Sequence, residues 1–156
     1  MSDLIVRRAT LGDVENMHAL INLFAGRGLM LAKARNHLYQ NIRDFFVAKK
    51  NGQFAGCGAL HILWNDLGEI RSLAVDEQFH GNGVGRNIVE ALVQDAVQLK
   101  LPLVFALTYQ QEFFERLGFV EVEKETMPRK VWGECMNCPK FPNCDETAMV
   151  LELVQS

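Results

Sequence analysis

The segment from Leu73 to Arg86 constrains this chain most, because a strand there passes through Gly81, Gly83 and Gly85 straight into a patterned helix. Backbone N–H groups at a helix start have no intrahelical partner and the dipole is positive there, so phosphate binds with little help from side chains. Glycines let the main chain come close to a ligand. The helix that follows sets Ile88, Val89, Leu92, Ala96 and Leu99 on one stripe. Leu101 to Leu107 is then a near-continuous apolar run of the kind buried on both faces. Strand, helix and strand at this spacing make a βαβ unit with parallel strands and a right-handed crossover. A plain tight turn is the competing reading of the glycines. Two other phosphate sites fit poorly, since no Walker lysine follows and the spacing is not the Rossmann fingerprint.

The rest of the chain surrounds that unit with antiparallel elements. Leu4 to Ala9 reads as a first strand, and Thr10 with Asp13 as a capping box opening a helix that carries Val14, Met17, Ile21 and Phe24 at helical spacing. That helix stops near Gly26 or Gly28, and a weaker one covers about Ala34 to Arg43 with Leu38 and Ile42 on one face. Phe45 to Ala48, the dipeptide Asn51-Gly52 and a return strand from Phe54 to Leu63 form a hairpin, because both turn residues tolerate positive φ. Asn65 to Gly68 is the next turn and Glu69 to Val75 the central strand. After the βαβ unit come a short helix from Gln110 to Leu117 closed by Gly118, a strand from Phe119 to Val122, a long irregular stretch from Lys124 to Asp145, and a last strand from Thr147 to Leu153. The expected fold is therefore α/β in a single domain spanning residues 1–156. Its mixed central sheet has an antiparallel N-terminal half and a parallel step in the middle, with helices on both faces.

Bulk properties narrow the function. At 156 residues one domain is long enough to bury roughly two thirds of its unfolded surface. A net charge of −3 argues against a general nucleic-acid binder. Met1-Ser2-Asp3-Leu4 lacks the layout of a signal peptide and no apolar run approaches bilayer length, so a cytoplasmic protein without membrane partners is expected. Cys57, Cys135, Cys138 and Cys144 then face a reducing compartment. Three of them in one stretch supply soft ligands, with Cys57 or His61 as a conceivable fourth, yet a second Cys-x-x-Cys knuckle is absent. Free thiols, a structural metal and redox regulation stay open, and no metal is assigned.

Ser72-Leu73-Ala74-Val75-Asp76, His80-Gly81-Asn82-Gly83-Val84-Gly85 and Phe113-Phe114-Glu115-Arg116-Leu117-Gly118-Phe119 resemble the acetyl-CoA-binding motifs of the GNAT superfamily of acetyltransferases. The resemblance runs nearly end to end, since the opening strand with Thr10 and Asp13 also fits. It implies acetyl-CoA as acetyl donor, with the diphosphate on His80, Gly81, Asn82, Gly83, Val84, Gly85 and Arg86 and the pantetheine arm along Leu73, Ala74 and Val75. His80 stands where the family usually has Arg or Gln, and His can still donate to phosphate. Phe114, counted by resemblance among the cofactor positions, stands where many relatives carry a tyrosine that acts as acid. Tyr109 or water must serve if an acid is needed, although a thiolate with a pKa near roughly 8.5 leaves without strong protonation.

Such a transfer also needs a base for the acceptor ammonium. Family members often place a glutamate on this strand, and Glu69 lies roughly 13 Å before Leu73 at about 3.3 Å per residue; a surface carboxylate in a salt bridge is the alternative. Gly68 to Val75 and Val104 to Thr108 look most like the acetyltransferase half of N-acetylglutamate synthases, and Lys130 to Cys135 resembles short stand-alone relatives of them. This implies a small-molecule amine as partner, the α-amine of glutamate or a similar amino acid, in an arginine-biosynthesis type of role. Fixed cations would hold the acceptor carboxylates, with Lys33, Arg35 and Arg71 as candidates beside Arg27, each of which could equally be a solvated charge. Asn22, His61 and Asp145 stand where the long synthases carry basic residues. Another amine, or a non-catalytic acetyl-CoA sensor, are the alternatives. Isolated domains of this size often pair, so a homodimer is allowed.

Overall fold

Along the chain run β1 (Leu4–Arg8), α1 (Val14–Gly26), α2 (Arg35–Gln40), β2 (Phe45–Lys50), β3 (Gln53–Trp64), β4 (Leu67–Val75), α3 (Val84–Gln98), β5 (Leu103–Thr108), α4 (Gln111–Arg116), β6 (Val120–Val122) and β7 (Thr147–Glu152). They come from a computed structural model that describes residues 3–127 and 146–153. The strands form a mixed sheet in the order β1-β2-β3-β4-β5-β7-β6. The order of helices and strands is the one the sequence predicts. The chain divides into two compact units, Met1–His61 with Ile70–Asp95, and Ile62–Glu69 with Ala96–Ser156.

In the first unit β1 pairs antiparallel with β2 from Leu4↔Lys50 to Arg8↔Phe46, and β2 with β3 from Phe45↔Ala59 to Lys50↔Gln53. Asn51 and Gly52 turn that hairpin at φ 53° and 80°, the left-handed pair that matches strand twist. Val14, Met17, Leu20, Ile21 and Phe24 of α1 and Leu38 of α2 pack on Phe45, Val47, Cys57, Ala59 and Ala74. Each fully buried side chain of this size contributes about 1.5–3 kcal/mol. The second helix is shorter than predicted: Asn41 folds its amide back to the His37 carbonyl at 2.9 Å, and a 3-10 turn at Ile42–Asp44 replaces the last turn of helix. On α3 the stripe Ile88, Val89, Leu92 and Ala96 is buried as predicted, but Leu99 is 56% exposed because the helix ends at Gln98 and Lys100 takes a left-handed φ of 62°.

The start of α1 is held by charge. Asp13, almost fully buried, accepts from the Arg7 guanidinium at 2.8 and 3.1 Å, from the Thr10 main-chain N–H at 2.7 Å and from the Thr10 hydroxyl at 3.2 Å. Burial alone would raise the Asp13 pKa, but the bonds from Arg7 and Thr10 outweigh it and hold the carboxyl below the usual carboxylate range. A depressed folded value means the stabilisation is fully present above the unfolded carboxylate pKa and is lost as pH falls through the folded one. Thermal unfolding followed downward from neutral pH should therefore show a loss of Tm in the acid range that Asp13→Asn largely lacks. Asp13→Ala should cost about 1–3 kcal/mol at neutral pH.

In the second unit β5 and β7 pair antiparallel from Leu103↔Glu152 to Thr108↔Thr147, and β6 joins β7 from Val120↔Val150 to Val122↔Ala148. The first residues of β4 run parallel to β5, at Gly68↔Val104 and Glu69↔Phe105. The turn before β4 is only Asn65-Asp66, so Leu67 and Gly68, predicted as turn, already lie in the strand. Leu67, Phe105, Met127 and Val150 form the buried centre of this unit. Phe114 meets Phe113 and Phe119 edge-on, with centroids 5.1 and 5.0 Å apart, and Gly118 closes α4 at φ 95°.

Candidate functional site

The glycine turn is shaped by bonds within itself. Asp76 takes the Gln78 N–H at 3.1 Å and opens a 3-10 turn, Glu77–Phe79, whose Phe79 is buried as an anchor. Gly81 and Gly83 then adopt φ 84° and 77°, values any side chain would resist. Two side-chain amides pin the turn's carbonyls: Asn82 donates to Phe79 O at 3.1 Å and Asn87 to Gly83 O at 2.7 Å. The main-chain N–H groups of Gly81, Gly83, Val84, Gly85 and Arg86 donate to no acceptor among the described residues. A run of unpaired donors at the start of a fifteen-residue helix is what a diphosphate would accept from. His80 has another task. Its Nε2–H donates to the Val75 carbonyl at 2.9 Å, so a neutral ring has spent its one donor tying the turn to the end of β4. Arg86 is exposed and pairs with Glu90 at 2.9 Å.

Two glycines of β3 fix where α3 lies. A Cβ on Gly56 would stand 2.7 Å from Ala74 O and 3.3 Å from Val75 Cα, and one on Gly58 would stand 2.8 Å from Ile88 Cγ2. Helix and strands therefore approach to a distance that only glycine permits. The sequence reading passed over both, although glycine inside a strand is itself a signal of close approach.

β4 carries a second local departure. Ser72 sits at φ 54° in mid-strand, and its carbonyl accepts the Cys57 thiol at 3.6 Å. Burial pushes the Cys57 thiol up to about 12, which makes it a donor of fixed protonation and not a nucleophile. Beyond the bend Ala74 is buried while Leu73 and Val75 are half-buried. Among the described residues the parallel pairing of β4 with β5 covers Gly68 and Glu69, before the bend. A β-branched side chain tolerates left-handed backbone poorly, so Ser72→Val should lower stability by about 1–2 kcal/mol while Ser72→Gly leaves it level or slightly raised. Thermal unfolding of the two variants checks this.

Glu69 is 7% exposed, a buried carboxylate on β4, and not the surface group that was its alternative. Arg71 is half-buried. Lys33 is 9% exposed and is the one buried cation among the described residues. Arg35 is exposed and engaged by Glu15 at 2.9 Å, and Arg27 pairs with Glu77 at the start of the turn. Phe114 lies in the aromatic cluster of the second unit and is almost fully buried. Tyr109 is half-buried. His61 Nδ1 lies 3.0 Å from Asp44 Oδ2. Cys135, Cys138, Cys144 and Asp145 fall outside the described residues, and among those described no group of three His, Cys, Asp or Glu could hold a metal.

Residues 16–119 match the model of the acetyltransferase (GNAT) family. The chain belongs to that family. As a GNAT acetyltransferase it uses acetyl-CoA as donor. The enzyme is 43% identical over 97% of its length to an uncharacterized N-acetyltransferase of Chlorobaculum tepidum, of which it covers 98%. It is 44% identical over 83% of its length to an amino-acid acetyltransferase of Mycobacterium tuberculosis, of which it covers 76%. Among solved structures, a Mycobacterium tuberculosis protein in complex with CoA and a second ligand superposes with TM-score 0.85 at 38% identity, covering 96% of this chain and 99% of that one. The N-acetylglutamate synthase of Neisseria gonorrhoeae, complexed with coenzyme A and N-acetyl-glutamate, gives TM-score 0.88 at 25% identity over 99% of this chain, which spans 36% of the synthase. No helix among the described residues is long and apolar enough to cross a membrane.

Proposed function

We propose that this acetyltransferase acetylates the α-amine of a small amino acid, glutamate or a similar one, in an arginine-biosynthesis type of role in the cytoplasm. The observation that carries the reading is the 44% identity to an amino-acid acetyltransferase over most of both chains. Two features of the fold are compatible with it: Glu69 is a buried acidic residue on β4, and Lys33 is a buried basic residue on the connection between α1 and α2.

Acetyl-CoA, when bound, supplies the acetyl group as a thioester. The main-chain N–H groups of Gly81 and Gly83 to Arg86 bind its diphosphate, and Leu73 to Val75 align its arm. Glu69 accepts the proton that the acceptor ammonium must lose before its nitrogen can attack. Lys33 and Arg71 hold acceptor carboxylates, and Arg35 assists only if it leaves Glu15. No side-chain acid is invoked, because the thiol's pKa lets it depart as thiolate.

The test is thiol release from acetyl-CoA in the presence of a panel of amino acids and, as controls, a polyamine and a peptide N-terminus. Turnover confined to amino acids with a free α-carboxylate supports the reading. Turnover only with the polyamine or peptide overturns it, and tight CoA binding without any turnover identifies a sensor instead.

A further inference from the structure

The chain contains two Asn-Gly dipeptides, Asn51-Gly52 and Asn82-Gly83, and all four residues are exposed. Asparagine before glycine is the pairing most open to self-modification, because no Cβ shields the glycine nitrogen from the neighbouring carboxamide. The two sites are held differently. Asn51 and Gly52 close the β2–β3 hairpin at φ 53° and 80°, between the paired Lys50 and Gln53, and the Asn51 N–H donates to Asp3 O at 3.2 Å. Turning their peptide disturbs a ladder on both sides.

Asn82-Gly83 is held by less. The Asn82 carboxamide donates backward, to Phe79 O at 3.1 Å and His80 O at 3.4 Å, and its main-chain N–H reaches Phe79 O at 3.3 Å. Two of these three bonds are longer than the usual range. The Gly83 N–H donates to no acceptor among the described residues, so no bond has to break before that nitrogen reacts. Gly83 also stands immediately before α3, where the positive helix end favours an anion. A deprotonated amide nitrogen, and the oxyanion formed when it attacks, are both negative. The next three N–H groups along the chain, of Val84, Gly85 and Arg86, have no acceptor among the described residues either.

We propose that Asn82-Gly83 is a site of spontaneous deamidation, and that its conversion ends donor binding. The Gly83 nitrogen gives up its proton and bonds to Asn82 Cγ; the Cγ–Nδ2 bond breaks, and the nitrogen leaves with that proton as ammonia. Water then opens the cyclic imide. Opening at Cγ leaves an aspartate, and opening at the main-chain carbonyl leaves an isoaspartate, which lengthens the backbone by a methylene. Either product sets a carboxylate near the Phe79 and His80 carbonyls that the carboxamide had bonded, and adds negative charge at the start of α3. The loss of donor binding rests on the reading above that the CoA diphosphate binds at this turn. A diphosphate there accepts from the Gly83 N–H and so also holds the reaction back.

The experiment ages the whole protein at mildly alkaline pH, alone and with CoA at about ten times its Kd, and follows aspartate and isoaspartate at both sites by peptide mass spectrometry. Without CoA, Asn82 is expected to convert about fivefold faster than Asn51. With CoA the rate at Asn82 should fall about tenfold, in proportion to the protein left unbound, while Asn51 is unaffected. The share of aged protein able to bind CoA should fall in step with conversion at Asn82. Asn82→Gln, whose longer side chain closes a ring far more slowly, should keep whatever CoA affinity it starts with. Asn82→Asp should raise the Kd for CoA about tenfold. Conversion at Asn82 no faster than at Asn51 overturns the inference and leaves the amino-acid reading standing. Conversion at the same rate with and without CoA overturns it as well. Conversion that leaves CoA affinity unchanged overturns both the inference and the assignment of the diphosphate to this turn. The acceptor enters none of these measurements, so failure of the amino-acid reading leaves them unaffected. If Asn82→Asp does not fold, aged wild-type protein separated by charge from the unaged supplies the same comparison, and an equal Kd overturns the proposal.

Discussion

Glu69→Gln is expected to lower kcat at neutral pH by roughly 10²–10⁴-fold while CoA affinity stays within about twofold. The carboxamide keeps the shape of the side chain and cannot take a proton. As pH rises the acceptor amine deprotonates in solution, so the deficit should shrink steadily on the alkaline side. A full pH–rate profile of both enzymes with one amino-acid substrate checks this. A constant ratio across the range would remove Glu69 as the base and leave it as a buried structural carboxylate. The site asks for little else from side chains, which makes this substitution the sharpest single probe of the chemistry.

The second large effect is expected from the β3 glycines. Gly56→Ala sets a methyl 2.7 Å from the main-chain oxygen of Ala74, an atom that cannot move without displacing β4. A loss of about 1–3 kcal/mol is expected, with weaker CoA binding because the strand end and the turn tied to it through His80 shift together. Gly58→Ala differs, since its obstacle is the Ile88 side chain at 2.8 Å. In a double-mutant cycle Ile88→Ala should cost less beside Gly58→Ala than alone, whereas beside Gly56→Ala the relief should be smaller, since removing Ile88 Cδ1 at 3.2 Å leaves the Ala74 oxygen in place. Chemical denaturation for stability and a CoA titration for affinity read both.

Much of this molecule is legible in its sequence because local signals agree with the long-range fold. Val14, Met17, Ile21 and Phe24 lie on the buried face of α1 as their spacing requires, and Asn51-Gly52 turns the hairpin. Periodicity carries the α3 stripe through Leu99, one residue beyond the end of the helix. What escaped the sequence are features that need a partner from far along the chain. Gly56 and Gly58 declare their purpose only against Ala74 and Ile88, and Asn22 only against the Lys33 carbonyl that its amide bonds, eleven residues on. The left-handed Ser72 had no local herald, as serine carries no strong preference for that backbone. His80 reads as a phosphate donor by position until the Val75 carbonyl is seen to claim its proton.

The amide bonds of Asn82 and Asn87 and the ring of His80 also settle when the cost of shaping the glycine turn is met. Because that loop is held by its own side chains, its entropy is surrendered once, during folding, and not again at each catalytic cycle. A ligand that binds at this turn, as proposed for the diphosphate, would meet a receptor already formed and would not have to order the polypeptide as it arrives.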